Sequence, residues 1–225
     1  MNRKLITLTL CFAGLFTRLL GADPTPPATP DNKPQIKVAC VGDSITWGGG
    51  GADAYPSQLQ RLLGDSWKVT NYGVSGRTLM RKGDFPYWSE QAYKNALAWN
   101  PDVVIIMLGT NDSKPQNWKH EATFVNDYRD LVKSFQNLPS KPRILVCRPC
   151  PVPEPGNFDI SEGPIREQIK RINSLASEMK LEIIDMFAAL AGKPQLLPDH
   201  VHPNAEGSAE MAKAAHAALT NKTAP

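Results

Sequence analysis

Residues 103–108 are six consecutive apolar residues, bounded by Pro101 and Asp102 on one side and Gly109 on the other. Such a run has no polar face to turn to water. It fits a strand buried on both sides, as in a parallel sheet covered by helices. Residues 36–41 form a similar run that ends in Gly42. Helical and strand patterns alternate around these two. Residues 54–63 have helical spacing and stop at Gly64, residues 67–72 read as a strand, and residues 87–99 read as a helix stopped by Pro101. An amphipathic helix follows over 121–136, then a strand over 143–146 and a Pro-rich loop over 149–163. A helix over 164–180, a strand over 181–186 and a last helix over 204–219, capped by Asn204, complete the chain. Strands separated by helices imply right-handed βαβ units. The expected architecture is therefore α/β, a three-layer α/β/α sandwich around a five-stranded parallel sheet.

This domain is expected to fill residues 35–225. Residues 1–22 read as a secretory signal, with the basic start Asn2-Arg3-Lys4, an apolar stretch over 5–16 and a small-residue exit at Leu20-Gly21-Ala22. Arg18 interrupts the apolar run and argues against a retained membrane-spanning helix. The expected location is exported, periplasmic or secreted, with no stable membrane insertion after cleavage. Residues 23–34 are rich in Pro, Thr and Asp and read as an extended linker. Without Arg3, Lys4 and Arg18 the 25 basic residues fall to 22, matching the 22 acidic ones, so no nucleic-acid surface is expected. Cys147-Arg148-Pro149-Cys150 has CxxC spacing but no second CxxC. It reads as two structural thiols or one local disulfide rather than a zinc or redox centre.

In an open parallel sheet, ligands bind beyond the carboxyl ends of the strands. Ser44, Gly76 and Asn111 each fall just past a strand, and Asp199 and His202 come from the loop after the fifth. A serine hydroxyl needs a base within hydrogen-bond reach, and His202 can serve. Asp199 can hold the imidazole in one tautomer. The backbone N–H groups of Ser44 and Gly76 and the Asn111 amide can receive the oxyanion of an ester substrate. His200 is the rival base. Asp43 is expected to shape the turn around Ser44 rather than to do chemistry, and Asp112 to cap a polar loop. No metal or cofactor is called for.

The ordered blocks Gly42-Asp43-Ser44-Ile45-Thr46, Asn71-Tyr72-Gly73-Val74-Ser75-Gly76, Gly109-Thr110-Asn111-Asp112 and Asp199-His200-Val201-His202-Pro203 resemble those of the GDSL/SGNH hydrolases. The resemblance covers residue 36 to about residue 219. It implies a flavodoxin-like fold with Ser44, His202 and Asp199 as a catalytic triad and Ser44, Gly76 and Asn111 as the oxyanion hole. Ile45 replaces the leucine of the GDSL motif.

Residues 76–88 and 109–118 are similar to a bacterial subgroup described as sialate O-acetylesterase-like or carbohydrate esterase-like. That resemblance implies an exported serine esterase acting on O-acetyl groups of carbohydrate, with a small-molecule or polysaccharide ester as its partner. Trp47, Arg77, Trp88 and Trp118 are candidate substrate contacts, although core packing is the plainer reading of any one aromatic and a structural ion pair suits Arg77 equally. The alternatives are a broad arylesterase, thioesterase or lysophospholipase on the same scaffold, and a non-catalytic carbohydrate-binding module.

Overall fold

The structure is a computed structural model that describes residues 34–221. The expected signal (1–22) lies outside the described residues, as does nearly all of the expected linker. Five strands form one parallel sheet: β1 (Ile36–Gly42), β2 (Trp67–Gly73), β3 (Val103–Met107), β4 (Arg143–Arg148) and β5 (Glu182–Asp185). Their order is β2-β1-β3-β4-β5. The chain starts near the middle, steps outward to β2, then returns to β3 on the other side of β1. The reversal opens a crevice at the carboxyl ends of β1 and β3, where Gly42 pairs with Met107.

All five residues of β3 are buried, because its two faces meet different helices. Val103, Ile105 and Met107 join Cys40 and Cys147 under α2 (Tyr55–Leu63), α7 (Met186–Leu190) and α8 (Ala205–Thr220). Val104 and Ile106 join Val41 and Val146 under α3 (Gln91–Trp99), α5 (Phe124–Gln136) and α6 (Glu162–Met179). Burying an isoleucine such as Ile105 or Ile106 is worth about 1.5–3 kcal/mol, so a polar substitution in β3 would strike one core layer or the other, according to the face it occupies. Two short helices, α1 (Ser44–Trp47) and α4 (Pro115–Trp118), lie beyond the carboxyl ends of β1 and β3.

Several boundaries differ from the sequence expectation for local reasons. The helix expected over 87–99 begins at Gln91, because Glu90 has extended backbone and leaves Tyr87–Ser89 as a separate 3₁₀ turn. Glu121–Thr123 is likewise a 3₁₀ turn ahead of α5. The helix expected from Pro164 begins at Glu162. A proline is tolerated in the first turn, where an N–H has no partner to lose, so it does not fix the start. The fifth strand ends at Asp185 because that side chain accepts the Ala188 N–H at 2.9 Å and starts α7. Asn204 caps α8 as expected, accepting the Gly207 N–H at 2.9 Å. Cys40, Cys147 and Cys150 are free and buried, which resolves the CxxC pair as structural thiols. Burial pushes the Cys40 thiol up to about 12.

Candidate active site

The turn after β1 is built around Asp43. Its Oδ1 accepts the Ile45 N–H at 3.0 Å, which caps α1 and puts Ser44 at the first helical position. Gly42 must be a glycine, since a Cβ there would overlap the Thr46 side chain and crowd the Met107 carbonyl. The Asn71 amide at the end of β2 donates to the carbonyls of Thr46 at 3.0 Å and Trp47 at 3.2 Å, so α1 is held from a second strand. Burial pushes the Asp43 carboxyl up to about 6, against the Ile45 N–H and the attraction of His202, which pull it down.

Residues 158 apart in sequence meet here. Ser44 Oγ lies 2.9 Å from His202 Nε2, and His202 Nδ1 lies 2.7 Å from Asp199 Oδ2. An ionised carboxylate can only accept, so the ring hydrogen belongs on Nδ1 and Nε2 faces the serine as an acceptor. The other oxygen, Asp199 Oδ1, accepts the backbone N–H groups of Val201 at 3.0 Å and His202 at 2.6 Å. One carboxylate thus fixes both the backbone and the ring of His202. Burial raises the Asp199 pKa, but the His202 backbone N–H, the His202 ring and the Val201 N–H outweigh it and hold the carboxyl below its ordinary value. His200 faces elsewhere, with Nδ1 3.1 Å from the Pro153 carbonyl.

Gly76 has φ of +77°, a left-handed conformation that favours glycine. The next residue, Arg77, offers its carbonyl to Asn111 Nδ2 at 3.2 Å, so the segments carrying Gly76 and Asn111 are tied together. Asn111 is itself buried, and its carbonyl accepts from Asn117 Nδ2 at 2.9 Å. The stronger tie comes from Asp112, which in sequence looks like no more than a loop cap. Its two oxygens accept the N–H groups of Leu79 at 2.8 Å and Met80 at 2.7 Å. Burial pushes this carboxyl up to about 7; the two N–H groups oppose the shift and nearby Asp43 adds to it. The Gly-Thr-Asn-Asp block therefore anchors the Gly76 loop through adjacent side chains.

A cavity of about 460 Å³ opens beside the Ser44–His202 pair, with Trp47, Asp53, Asn204 and Ser208 in its walls. Of the four expected substrate contacts, only Trp47 lines it, 45% exposed. The other three are taken up by the protein. Trp88 donates its indole N–H to the Leu79 carbonyl at 2.7 Å and lies under the Arg81 guanidinium. Trp118 packs edge-on against Phe124 with Arg171 over its ring. Arg77 pairs with Glu90 at 2.8 Å and donates to the Ser75 carbonyl. Phe158 was missed: its ring stands edge-on to His202, 5.6 Å between centroids, and no pattern in the Pro-rich loop announces it.

Residues 40–210 match the model of the GDSL-like lipase/acylhydrolase family, and the chain belongs to that family. It is 40% identical over 207 residues to an acetylxylan esterase from Xylanibacter ruminicola, an alignment covering 82% of this chain and 43% of that protein. The chain thus spans less than half the length of this relative. Among solved structures it resembles a carbohydrate acetylesterase from Sinorhizobium meliloti at 23% identity and a TM-score of 0.66, covering 82% of this chain and 98% of the other. An acetyl xylan esterase matches at 24% identity and 0.65, covering 82% and 100%. The aryl esterase of M. smegmatis matches at 22% and 0.66, covering 82% and 98%. These three likenesses bear on the fold, which they share with the expected α/β/α sandwich.

Proposed function

We propose that this protein is a serine esterase that hydrolyses short acyl esters, chiefly O-acetyl groups, on carbohydrate. The observation that carries the reading is the continuous relay from Ser44 Oγ through His202 to Asp199. In the first half-reaction His202 Nε2 takes the Ser44 proton as Oγ attacks the ester carbonyl. The tetrahedral oxyanion is received by the N–H groups of Ser44 and Gly76 and by the Asn111 amide. His202 then gives the proton to the leaving sugar hydroxyl, and acetate remains on Ser44. Water repeats the sequence and frees acetate. Asp199 steadies the imidazolium at both stages.

The substrate class is supported by the acetylxylan esterase relative at 40% identity. The cavity beside Ser44 also holds far more than an acetyl group, and its Asp53 and Ser208 suit hydroxyl groups. Acetate release from acetylated xylan, with Ser44→Ala as the control, tests the reading. Wild-type protein should release acetate and Ser44→Ala should not. Retained turnover in Ser44→Ala would remove the nucleophile. A marked preference for p-nitrophenyl octanoate over the acetate would replace the acetylesterase reading with a broad lipolytic one.

A further inference from the structure

Phe158 is hard to explain as a structural residue. It is 50% exposed and takes no part in the hydrophobic clusters of the described fold. Its φ is +52°, a conformation that a bulky side chain adopts at a cost. The next residue, Asp159, is also left-handed, at +60°. Side-chain bonds maintain this shape. Asn157 Oδ1 accepts the Phe158 N–H at 2.8 Å, Asn157 Nδ2 donates to the Asp199 carbonyl at 3.1 Å, and Asn157 and Ile160 exchange backbone bonds. The loop is thus pinned to the residue that orients His202, and the ring it presents stands edge-on to the imidazole.

The distribution of exposed apolar side chains points the same way. Among the described residues the large ones are Ile36, Leu62, Trp47, Phe85 and Phe158. The two aliphatic residues lie at the amino end of β1 and on α2. The three aromatic residues all stand beside the site. Trp47 shares the cavity with Ser44 and His202, Phe85 lies against Arg77 next to Gly76, and Phe158 touches His202. Phe158 does not line the Trp47 cavity. His202, which must pass a proton to the leaving hydroxyl, therefore lines the cavity that holds Trp47 and also meets the separate Phe158 ring.

We propose that Phe158 is a stacking platform for a second sugar unit, adjoining the acetylated unit that enters the Trp47 cavity. This rests on the carbohydrate reading above. An aromatic face matches the apolar face of a pyranose ring, and a backbone already pinned at Asn157 loses little entropy on binding. The protein then selects acetylated oligosaccharides over acetylated single sugars.

The test compares kcat/KM on three substrates: an acetylated xylo-oligosaccharide, an acetylated methyl xyloside and ethyl acetate. Wild-type protein should favour the oligosaccharide over the monosaccharide by about tenfold, the scale of one good aromatic contact. Phe158→Gly should abolish that preference, mainly through KM, and leave the other two substrates within about twofold. Phe158→Trp should keep the preference. Glycine is at ease at positive φ, so Phe158→Gly should match wild type in Tm. A preference that survives Phe158→Gly overturns the proposal. An equal loss on all three substrates would make the ring a positioning residue for His202, and a large fall in Tm would make it structural; either result refutes the platform. The parent reading fails separately, in wild-type protein alone, if ethyl acetate is hydrolysed and neither sugar is.

Discussion

Asp199→Asn separates what the carboxylate does from where it sits. Asn can keep its oxygen at the Oδ1 position, where it still accepts the N–H groups of Val201 and His202. The amide nitrogen then occupies the Oδ2 position, 2.7 Å from His202 Nδ1. An amide NH₂ can only donate, so Nδ1 must become the acceptor and the ring hydrogen moves to Nε2. That hydrogen points at Ser44 Oγ, and the base is in the wrong tautomer although nothing has moved. The expected loss is about 10³–10⁴ in kcat, or roughly 4–5.5 kcal/mol of transition-state stabilisation. The effect on the fold should be small. Two backbone bonds lose their charge assistance, at about 0.5–1 kcal/mol each. Initial rates on p-nitrophenyl acetate and urea unfolding of the same preparations give the two numbers. A kcat within about tenfold of wild type in a folded variant would refute the orienting role. A stability loss well beyond about 2 kcal/mol would show that the carboxylate is chiefly structural.

Two further expectations concern the Gly-Thr-Asn-Asp block. Asn111→Ala should lower kcat by about 10²–10³ with little change in KM if its amide receives the oxyanion, and steady-state kinetics returning a wild-type kcat would remove it from that role. Asp112 should make stability depend on pH. Its carboxyl is raised from 3.8 to about 7, so between those values the folded state keeps a proton that the unfolded chain has lost, and stability falls as pH rises. That contribution is fully present below the ordinary carboxylate range and gone above neutrality. Urea midpoints across that window should fall more steeply for wild type than for Asp112→Asn, and parallel slopes would contradict the assignment.

Much of this architecture is written in local pattern. The run over 103–108 declares a strand buried on two faces, and the structure supplies two helical layers to bury it. Asn204 announces the start of α8 because capping is a contact between near neighbours. The Asp199–His202 pair is equally local, three residues apart. What was not legible depends on distant segments. Asp112 looks like a loop cap until the 76–80 segment is laid against it. Trp88 and Trp118 are indistinguishable from substrate contacts until Arg81 and Phe124 cover them. Phe158 is placed by a side chain that reaches from residue 157 to residue 199. The single-turn helices α4 and α7 are too short to show a period.

The distance along the chain between Ser44 and His202 also sets a timetable. The serine turn is complete early in synthesis, whereas its base is specified 158 residues later. At about 5–20 residues per second the ribosome leaves roughly 8–32 s in which the nascent chain carries the hydroxyl without the imidazole. On the proposed mechanism Ser44 has no base until His202 is in place. A product that ends between residues 186 and 198 would hold all five strand segments and lack both Asp199 and His202, so on the proposed mechanism it should show no turnover.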